Sequence, residues 1–291
     1  MVGQHVKDDR RSLLDRIEAQ GKLFTAKQSQ IASYLCANYR EAAFLNISEL
    51  ALASGVAEAT VMRFSTLLGY SGFAAMQREL QQTIQSHLTA VERFWITSQI
   101  NPRQEPRTGF QKGIFQEAQN VRRLMETISE ETFNRVIERM VRARRIGLIG
   151  LQANAALVEY FYFALEKIAP PVVRITTGDG HAHVLANQLG PGSLVFLMLF
   201  PRYPRLSVEL ASYAKDNGAE LVTITNSYFS PGAKLADDTL LVQIPVTSFI
   251  DSYAPAAAII HLLIKEYAAQ DAEKTADSLK KYEEITRRQR T

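Results

Sequence analysis

Two rhythms of apolar residues divide the chain. Between residues 25 and 86, side chains suited to a core recur three and four apart, as in Ile31, Ala32 and Leu35, or Val61, Phe64 and Leu68. That is the spacing of helices with one buried face. Thr25 with Gln28 three residues on is a capping-box pattern and predicts a helix to about Asn38, with a further helix from about Phe73 to Ser86. From residue 146 the rhythm changes to short unbroken runs at 146–149, 172–175, 194–200, 221–225 and 240–244, separated by helix-like segments. Continuous apolar strands alternating with helices predict a parallel sheet covered on both faces. The expected fold is thus an all-α N-terminal domain followed by a doubly wound α/β domain with five mainly parallel strands. An amphipathic stretch from Phe110 to Met140 leads into the sheet, and NPRQEPRTG over 101–109 has the composition of a hinge. The division read from these patterns is 1–88 for the small helical domain, 89–127 for a helical, proline-containing linker, 128–270 for the α/β domain and 271–291 for a charged helix or tail.

The segment from Ile47 to Leu67, ISELALASGVAEATVMRFSTL, places small and apolar residues where two short helices must cross tightly. Ser48 is positioned to N-cap the first, with Glu49 in its first turn, where the helix dipole favours negative charge. Ala51 is small at the crossing point, and Gly55 admits the positive φ that the sharp turn requires. The second helix starts near Ala57. Val61, Phe64 and Leu68 face inward, while Glu58, Ala59, Thr60, Met62 and Arg63 lie nearer its exposed N-terminal part. This is a helix-turn-helix, whose second helix reads base edges, although an αα-hairpin that only packs has the same outline. Ser48, Glu58, Ala59, Thr60, Arg63 and Tyr70 are the candidate DNA-binding residues.

Thr60-Val61-x-Arg63-Phe64 followed by Leu68-Gly69-Tyr70-Ser71-Gly72-Phe73 resembles the N-terminal domain of RpiR-type bacterial regulators over roughly residues 20 to 85. Such regulators usually carry Ser where this chain has Ala57, and a basic pair where it has Thr66 and Leu67, so a hydroxyl cap and two cations are missing. Further on, Thr225-Asn226-Ser227-Tyr228-Phe229-Ser230-Pro231, continuing through Leu235-Ala236-Asp237, resembles the late signature of the sugar isomerase (SIS) domain, which accompanies RpiR-type headpieces. The resemblance implies a SIS-like sheet with a small-molecule site at its carboxyl edge, as open α/β sheets provide.

Two loops of that edge depart from the family pattern. Gly150-Leu151-Gln152-Ala153-Asn154 replaces the second Gly and the Ser of Gly-x-Gly-x-Ser, and Leu199, Pro201, Arg202 and Pro204 stand where the family places phosphate-holding hydroxyls and a glycine. In their place Phe200-Pro201-Arg202-Tyr203-Pro204-Arg205 offers two guanidinium groups around an aromatic ring, an arrangement that suits carboxylate or phosphate oxygens and equally suits an interface. Candidate effector-binding residues are Gln152, Asn154, His181, Arg202, Tyr203, Arg205, Thr225 and Ser230. Gly178-Asp179-Gly180-His181-Ala182-His183 could offer Asp and two His to a metal, but a third well-spaced ligand is not visible, and no metal or cofactor is expected.

Composition narrows the setting. A net charge of +3, with 9 Lys/Arg against 8 Asp/Glu in residues 1–80, predicts no strong non-specific polyelectrolyte footprint, so DNA affinity must come from dimerisation and placed contacts. Residues 90–145 carry 11 Lys/Arg against 7 Asp/Glu, including Arg142, Arg144 and Arg145 just before a strand, a pattern common on a solvated helix face. No apolar run approaches the roughly 20 residues of a membrane span, and the charged N-terminus lacks a secretory core, which reads as cytoplasmic. Cys36 is expected to be a small buried hydrophobe, and His261 a satisfied helix residue. The expected function is a transcriptional regulator, a repressor of a metabolic operon, that binds operator DNA as a homodimer or tetramer and senses a small anionic metabolite such as a sugar phosphate, with no membrane partner and no catalytic residue. The alternatives are a sugar-phosphate isomerase, for which His181, Glu159 and Glu166 are the available bases, and a DNA-binding protein whose α/β domain only dimerises.

Overall fold

The computed structural model describes residues 13, 16–17, 24–85, 91, 109–244 and 250–289. The chain divides into two compact units, Met1–Asn101 and, from Pro102, a second comprising Pro102–Ile244 with Asp251–Thr291. The hinge expected over 101–109 lies, except for Gly109, outside the described residues.

The first unit is helical: α1 (Ala26–Ala37), α2 (Tyr39–Ala42), α3 (Ile47–Ser54), α4 (Glu58–Leu67) and α5 (Phe73–Gln85). The capping box at α1 forms as the sequence suggests, with the Gln28 amide donating to Thr25 Oγ1 and the Thr25 amide to Gln28 Oε1. Ile31, Leu35, Leu50, Val61, Phe64 and Leu68 are buried together, and the Phe24 ring lies 5.3 Å from that of Phe64. Cys36 corrects the expectation. The inner stripe of α1 passes through Ile31 and Leu35, and the next position round the helix faces solvent, so Cys36 is exposed.

The second unit opens with α6 (Gly109–Arg122), α7 (Leu124–Thr127) and α8 (Glu130–Arg142), so the amphipathic stretch from Phe110 to Met140 forms three helices. The break before α8 has a local cause: Ser129 accepts from the Thr132 amide at 3.2 Å, with Glu130 and Glu131 behind it, a strong helix start. Leu124 is buried in this unit's core, which makes the end of the segment read as a linker part of the packed structure. Then follow β1 (Arg145–Ile149), α9 (Ala155–Leu165), β2 (Val172–Ile175), α10 (His181–Ala186), β3 (Ser193–Leu199), α11 (Arg205–Asp216), β4 (Glu220–Thr225), α12 (Pro231–Leu235), β5 (Asp238–Leu241), α13 (Ala254–Gln270) and α14 (Ala272–Gln289).

The sheet order is β2-β1-β3-β4-β5 and every pairing is parallel. α8, α9 and α13 cover one face through Ile137, Phe161 and Ile260, whereas α10 and α11 cover the other through Ala186, Leu210 and Ala214. All seven residues of β3 are buried, as a central strand sandwiched between two layers requires. β5 ends earlier than its apolar run: Val242 still donates to the Thr225 carbonyl, but the buried run beyond it leaves the ladder. Asp238, 7% exposed, anchors α8 to β5, accepting from the guanidinium groups of Arg135 at 2.9 Å and Arg139 at 2.8 Å. Among the described residues no helix is long and apolar enough to cross a membrane.

Candidate functional site

The first candidate site is the solvent side of α4. Asn46, not Ser48, caps α3: its Oδ1 accepts from the Glu49 amide at 2.9 Å, and the Glu49 carboxylate returns to the Asn46 amide at 2.7 Å. The helix starts one residue before Ser48, which leaves the Ser48 hydroxyl free to donate to Glu58 Oε1 at 2.5 Å and bridge the two helices. The turn between them is a Schellman motif. Gly55 sits at φ +69° with its amide donating to Leu52 O, and the Val56 amide reaches back to Ala51 O at 2.9 Å.

Val61, Phe64 and Leu68 are buried as the spacing predicts. Glu58, Ala59, Met62 and Arg63 are exposed, and among the described residues the Arg63 guanidinium has no partner. Two expected contacts move to the interior. Thr60 is 9% exposed because it lies on the inner flank of α4 beside Val61, and Tyr70, equally buried, packs its ring in the helical core beneath the Arg16 guanidinium, 4.9 Å away. Arg16 also donates to the carbonyl of Leu68, the C-cap of α4, at 2.9 Å. That cation at a helix C-terminus had no legible signal in the sequence, since it acts across 52 positions.

The second candidate site lies where the carboxyl ends of β1 and β3 adjoin, the point at which the strand order reverses. Among the described residues the non-glycine residues with positive φ are Gln152 (+58°), Arg202 (+75°) and Tyr203 (+26°), and all three belong to the two loops that leave these strands. Such conformations cost of order 1–2 kcal/mol each and persist only where the surroundings impose them. Here the Tyr203 hydroxyl donates to Asn226 Oδ1 at 2.9 Å and its amide to the Phe200 carbonyl at 3.0 Å. Burial pushes the Tyr203 phenol up to about 12, with the hydrogen bond to Asn226 opposing the rise and Asp251 adding to it. Gly150 admits the other loop: a Cβ there would stand 2.8 Å from Val158 Cγ2 and 3.0 Å from the Asn154 carbonyl.

Arg202 and Arg205 are exposed, and among the described residues neither is paired with a carboxylate. Arg205 opens α11, whose first turn holds no acidic residue and whose N-cap, Pro204, supplies no side-chain bond. Three other expected ligand groups are buried, and two of them are committed to internal bonds. Asn154 is 4% exposed and accepts from the Tyr253 hydroxyl at 2.9 Å. Ser230 caps α12 by accepting from the Ala233 amide at 3.2 Å, and Thr225 is fully buried at the end of β4 with its hydroxyl unpartnered. His181 is exposed at the start of α10, where its amide donates to Asp179 Oδ1 at 3.0 Å, while Thr177 donates to Asp179 Oδ2. Among the described residues no three His, Cys, Asp or Glu side chains converge as a metal site. Of the candidate bases, Glu159 is paired with Arg174 at 2.8 Å.

Tyr253 was not foreseen. It precedes α13, joins Asn154 by its hydroxyl and lies 5.5 Å from the Phe200 ring, so it closes the crevice between the two loops. Asp237, the last residue of the Leu-Ala-Asp signature, is structural. It accepts from the Leu221 amide and the Lys215 ammonium, at 2.8 and 2.9 Å, and so staples the start of β4 to that of β5.

Residues 11–87 match the family described as helix-turn-helix domain, rpiR family, and residues 139–266 match the SIS domain. The HTH-type transcriptional regulator HexR of Pseudomonas aeruginosa is 24% identical over 266 residues, covering 89% of this chain and 88% of that protein. RpiR of Escherichia coli K12 is 25% identical over 243 residues, 83% of this chain and 79% of its own length. Among solved structures, the sugar isomerase domain of an RpiR transcription factor from Sphaerobacter thermophilus aligns with a TM-score of 0.56 at 21% identity, over 59% of this chain and 96% of that one. The Vibrio vulnificus NanR protein complexed with ManNAc-6P aligns with a TM-score of 0.54 at 21% identity, over 94% and 97%.

Proposed function

Because the chain belongs to the RpiR-type family of helix-turn-helix regulators that carry a SIS domain, we propose that it represses a metabolic operon and releases or grips its operator according to a small anionic metabolite bound at the carboxyl edge of the sheet. The observation that carries the ligand site is the convergence of the three left-handed non-glycine residues, Gln152, Arg202 and Tyr203, on the β1 and β3 loops. Strain held at a switch point, with two guanidinium groups beside it that have no carboxylate partner among the described residues, supports a ligand site over a packing surface. Arg205 in the first turn of α11 opposes the helix dipole, a local conflict that an anion bound there would reverse. NanR, a structural neighbour, is known in complex with ManNAc-6P, which supports a phosphosugar or a related acid as the ligand class. The grip here rests on arginine forks and the exposed Gln152, in place of hydroxyls.

On the DNA side, Arg63, Met62, Ala59 and Glu58 form the surface offered to the major groove, with Ser48 holding Glu58 in place. Pairing of two copies supplies the second half-site. Tyr160, Phe163 and Leu262, exposed on the adjoining helices α9 and α13, support a homodimer formed through this face. No catalytic role is assigned, since Glu159 is held by Arg174 and the hydroxyl-rich phosphate grip of the family pattern is replaced by Leu199, Pro201, Arg202 and Pro204.

The ligand half is tested by thermal unfolding of the full chain against a panel of phosphorylated and carboxylated metabolites. A true ligand at a hundredfold excess over its Kd stabilises the protein by about 2.7 kcal/mol. The gain is expected to vanish in the Arg202→Gln/Arg205→Gln double variant. A panel that shifts neither protein would leave the α/β unit as a dimerisation module and remove the effector site.

A further inference from the structure

At the amino-terminal pole of the sheet, opposite the strained loops, a cleft of about 390 Å³ is lined by Arg144 and Arg145 at the start of β1 and by Asn187, Gln188, Gly192 and Ser193 leading into β3. Among the described residues no carboxylate lines it. Arg145 donates to the Gln188 carbonyl at 2.6 Å, which fixes the guanidinium while leaving most of its N–H groups uncommitted. The stem of Arg144 lies along Gly192, with Cδ 3.4 Å from where a Cβ would stand, and among the described residues its guanidinium has no partner. Ser193 is 6% exposed, and its hydroxyl oxygen accepts from the Gly190 amide at 3.2 Å, so the hydroxyl proton remains to be donated. Asn187 accepts from the Tyr213 hydroxyl through Oδ1, which leaves its amide nitrogen as the uncommitted end. The cleft therefore offers two cationic guanidinium groups, the Ser193 hydroxyl proton and the Asn187 amide nitrogen as donors, beside the Gln188 amide, which can donate as well as accept.

Helix dipole effects do not explain the charge. Arg139 and Arg142 lie in the last turn of α8, where cations are favoured, and Arg139 is committed to Asp238 and Glu220. Arg144 and Arg145 lie beyond the helix end and face a concave surface. A cleft of this volume admits a small molecule, and two guanidinium forks with a buried hydroxyl match the oxygens of a phosphate group.

We propose that this cleft is a second anion site, taking the phosphate group of a small metabolite, and that it is separate from the site formed by the β1 and β3 loops. The shared chemistry is a phosphate oxygen set, which free phosphate, a phosphate ester or a DNA backbone can present; the proposal is for the small molecule.

The test is calorimetric titration of the full-length protein with inorganic phosphate and with pyrophosphate, at ionic strength balanced by chloride. It is run on the wild type, on Arg144→Gln/Arg145→Gln and on Arg202→Gln/Arg205→Gln, with near-ultraviolet circular dichroism confirming the fold of each. The Arg144→Gln single variant guards against misfolding, since that guanidinium holds no internal bond. Binding should persist in the Arg202/Arg205 variant and weaken by about tenfold or more in the Arg144/Arg145 variant, as loss of charge-assisted bonds implies. Unchanged affinity in the Arg144/Arg145 variant, or no binding by the wild type, would overturn the proposal. Loss confined to the Arg202/Arg205 variant would give the anion to the strained loops alone. A changed salt dependence of DNA binding without phosphate affinity would give the arginines to the DNA backbone, and either result also overturns the second site.

Discussion

Replacing Gly55 by Ala isolates one physical quantity in the turn of the helix-turn-helix. A Cβ built on Gly55 meets nothing within 4 Å, so the substitution introduces no clash with a neighbour, and the whole effect comes from the backbone at φ +69°. An L-residue in that conformation costs about 1–2 kcal/mol relative to glycine, whereas removing glycine from the unfolded chain returns about 0.4–1 kcal/mol. The net expectation is a loss of about 1 kcal/mol, which makes local opening roughly fivefold more frequent. Both Schellman bonds, from the amides of Gly55 and Val56, hold the crossing of α3 and α4, so the loss should concentrate there. Hydrogen exchange read by mass spectrometry on peptides covering residues 47–68 measures it without requiring the two units to unfold together. Asn, which tolerates the left-handed region better, should recover part of the protection. If the Ala variant exchanged as slowly as wild type, the turn would not be under the backbone constraint described, and the geometry assigned to the reading helix would fail with it.

Two further expectations concern the α/β unit. Asp238→Ala should destabilise that unit by about 2–3 kcal/mol, read as a lower urea midpoint, because the Arg135 and Arg139 guanidinium groups lose a carboxylate partner whose side chain is only 5% exposed; an unchanged midpoint would remove Asp238 as an anchor of α8. Asp237 concerns pH. Burial on its own raises that carboxyl, but the Leu221 amide and the Lys215 ammonium outweigh burial and hold it below its ordinary value of 3.8. A lowered folded value means stability that is present above the unfolded value and lost as pH falls through the folded one. Wild-type stability should therefore drop below about pH 4 more steeply than that of Asp237→Asn, and parallel acid profiles would contradict the staple.

Much of this architecture was legible because it depends on local spacing. The capping box at Thr25, the inward row Val61, Phe64 and Leu68, Gly55 at the turn, and the five apolar runs all obey periods of a few residues, and the structure places them accordingly. What escaped depends on groups far apart in sequence. Asn46 takes the cap expected of Ser48 because a reciprocal partner, Glu49, stands at the right offset from it, and Ser48 turns to Glu58 instead. The exposed side of α4 could not be told from its flank at Thr60 until the neighbouring helices were in place. At the sheet edge, Tyr253 reaches Asn154 across 99 positions, and Arg202 and Tyr203 adopt left-handed conformations that no residue preference announces. Ser230 and Asp237 belong to a recognisable signature, yet their bonds stay inside the protein, to the Ala233 amide for Ser230 and to the Leu221 amide and Lys215 ammonium for Asp237.

On this reading α4 reads DNA sequence, with Arg63 as its principal side chain. Selection of genomic fragments by the purified full-length protein at physiological salt, run in parallel with Arg63→Ala, tests it most directly. The expected result is enrichment of a palindrome by the wild type and a loss of about 1–3 kcal/mol in affinity for that palindrome in the variant if the guanidinium reads a base, or a shallower salt dependence if it meets phosphate. No enriched sequence with either protein, or a palindrome bound equally by both with the same salt dependence, would contradict it.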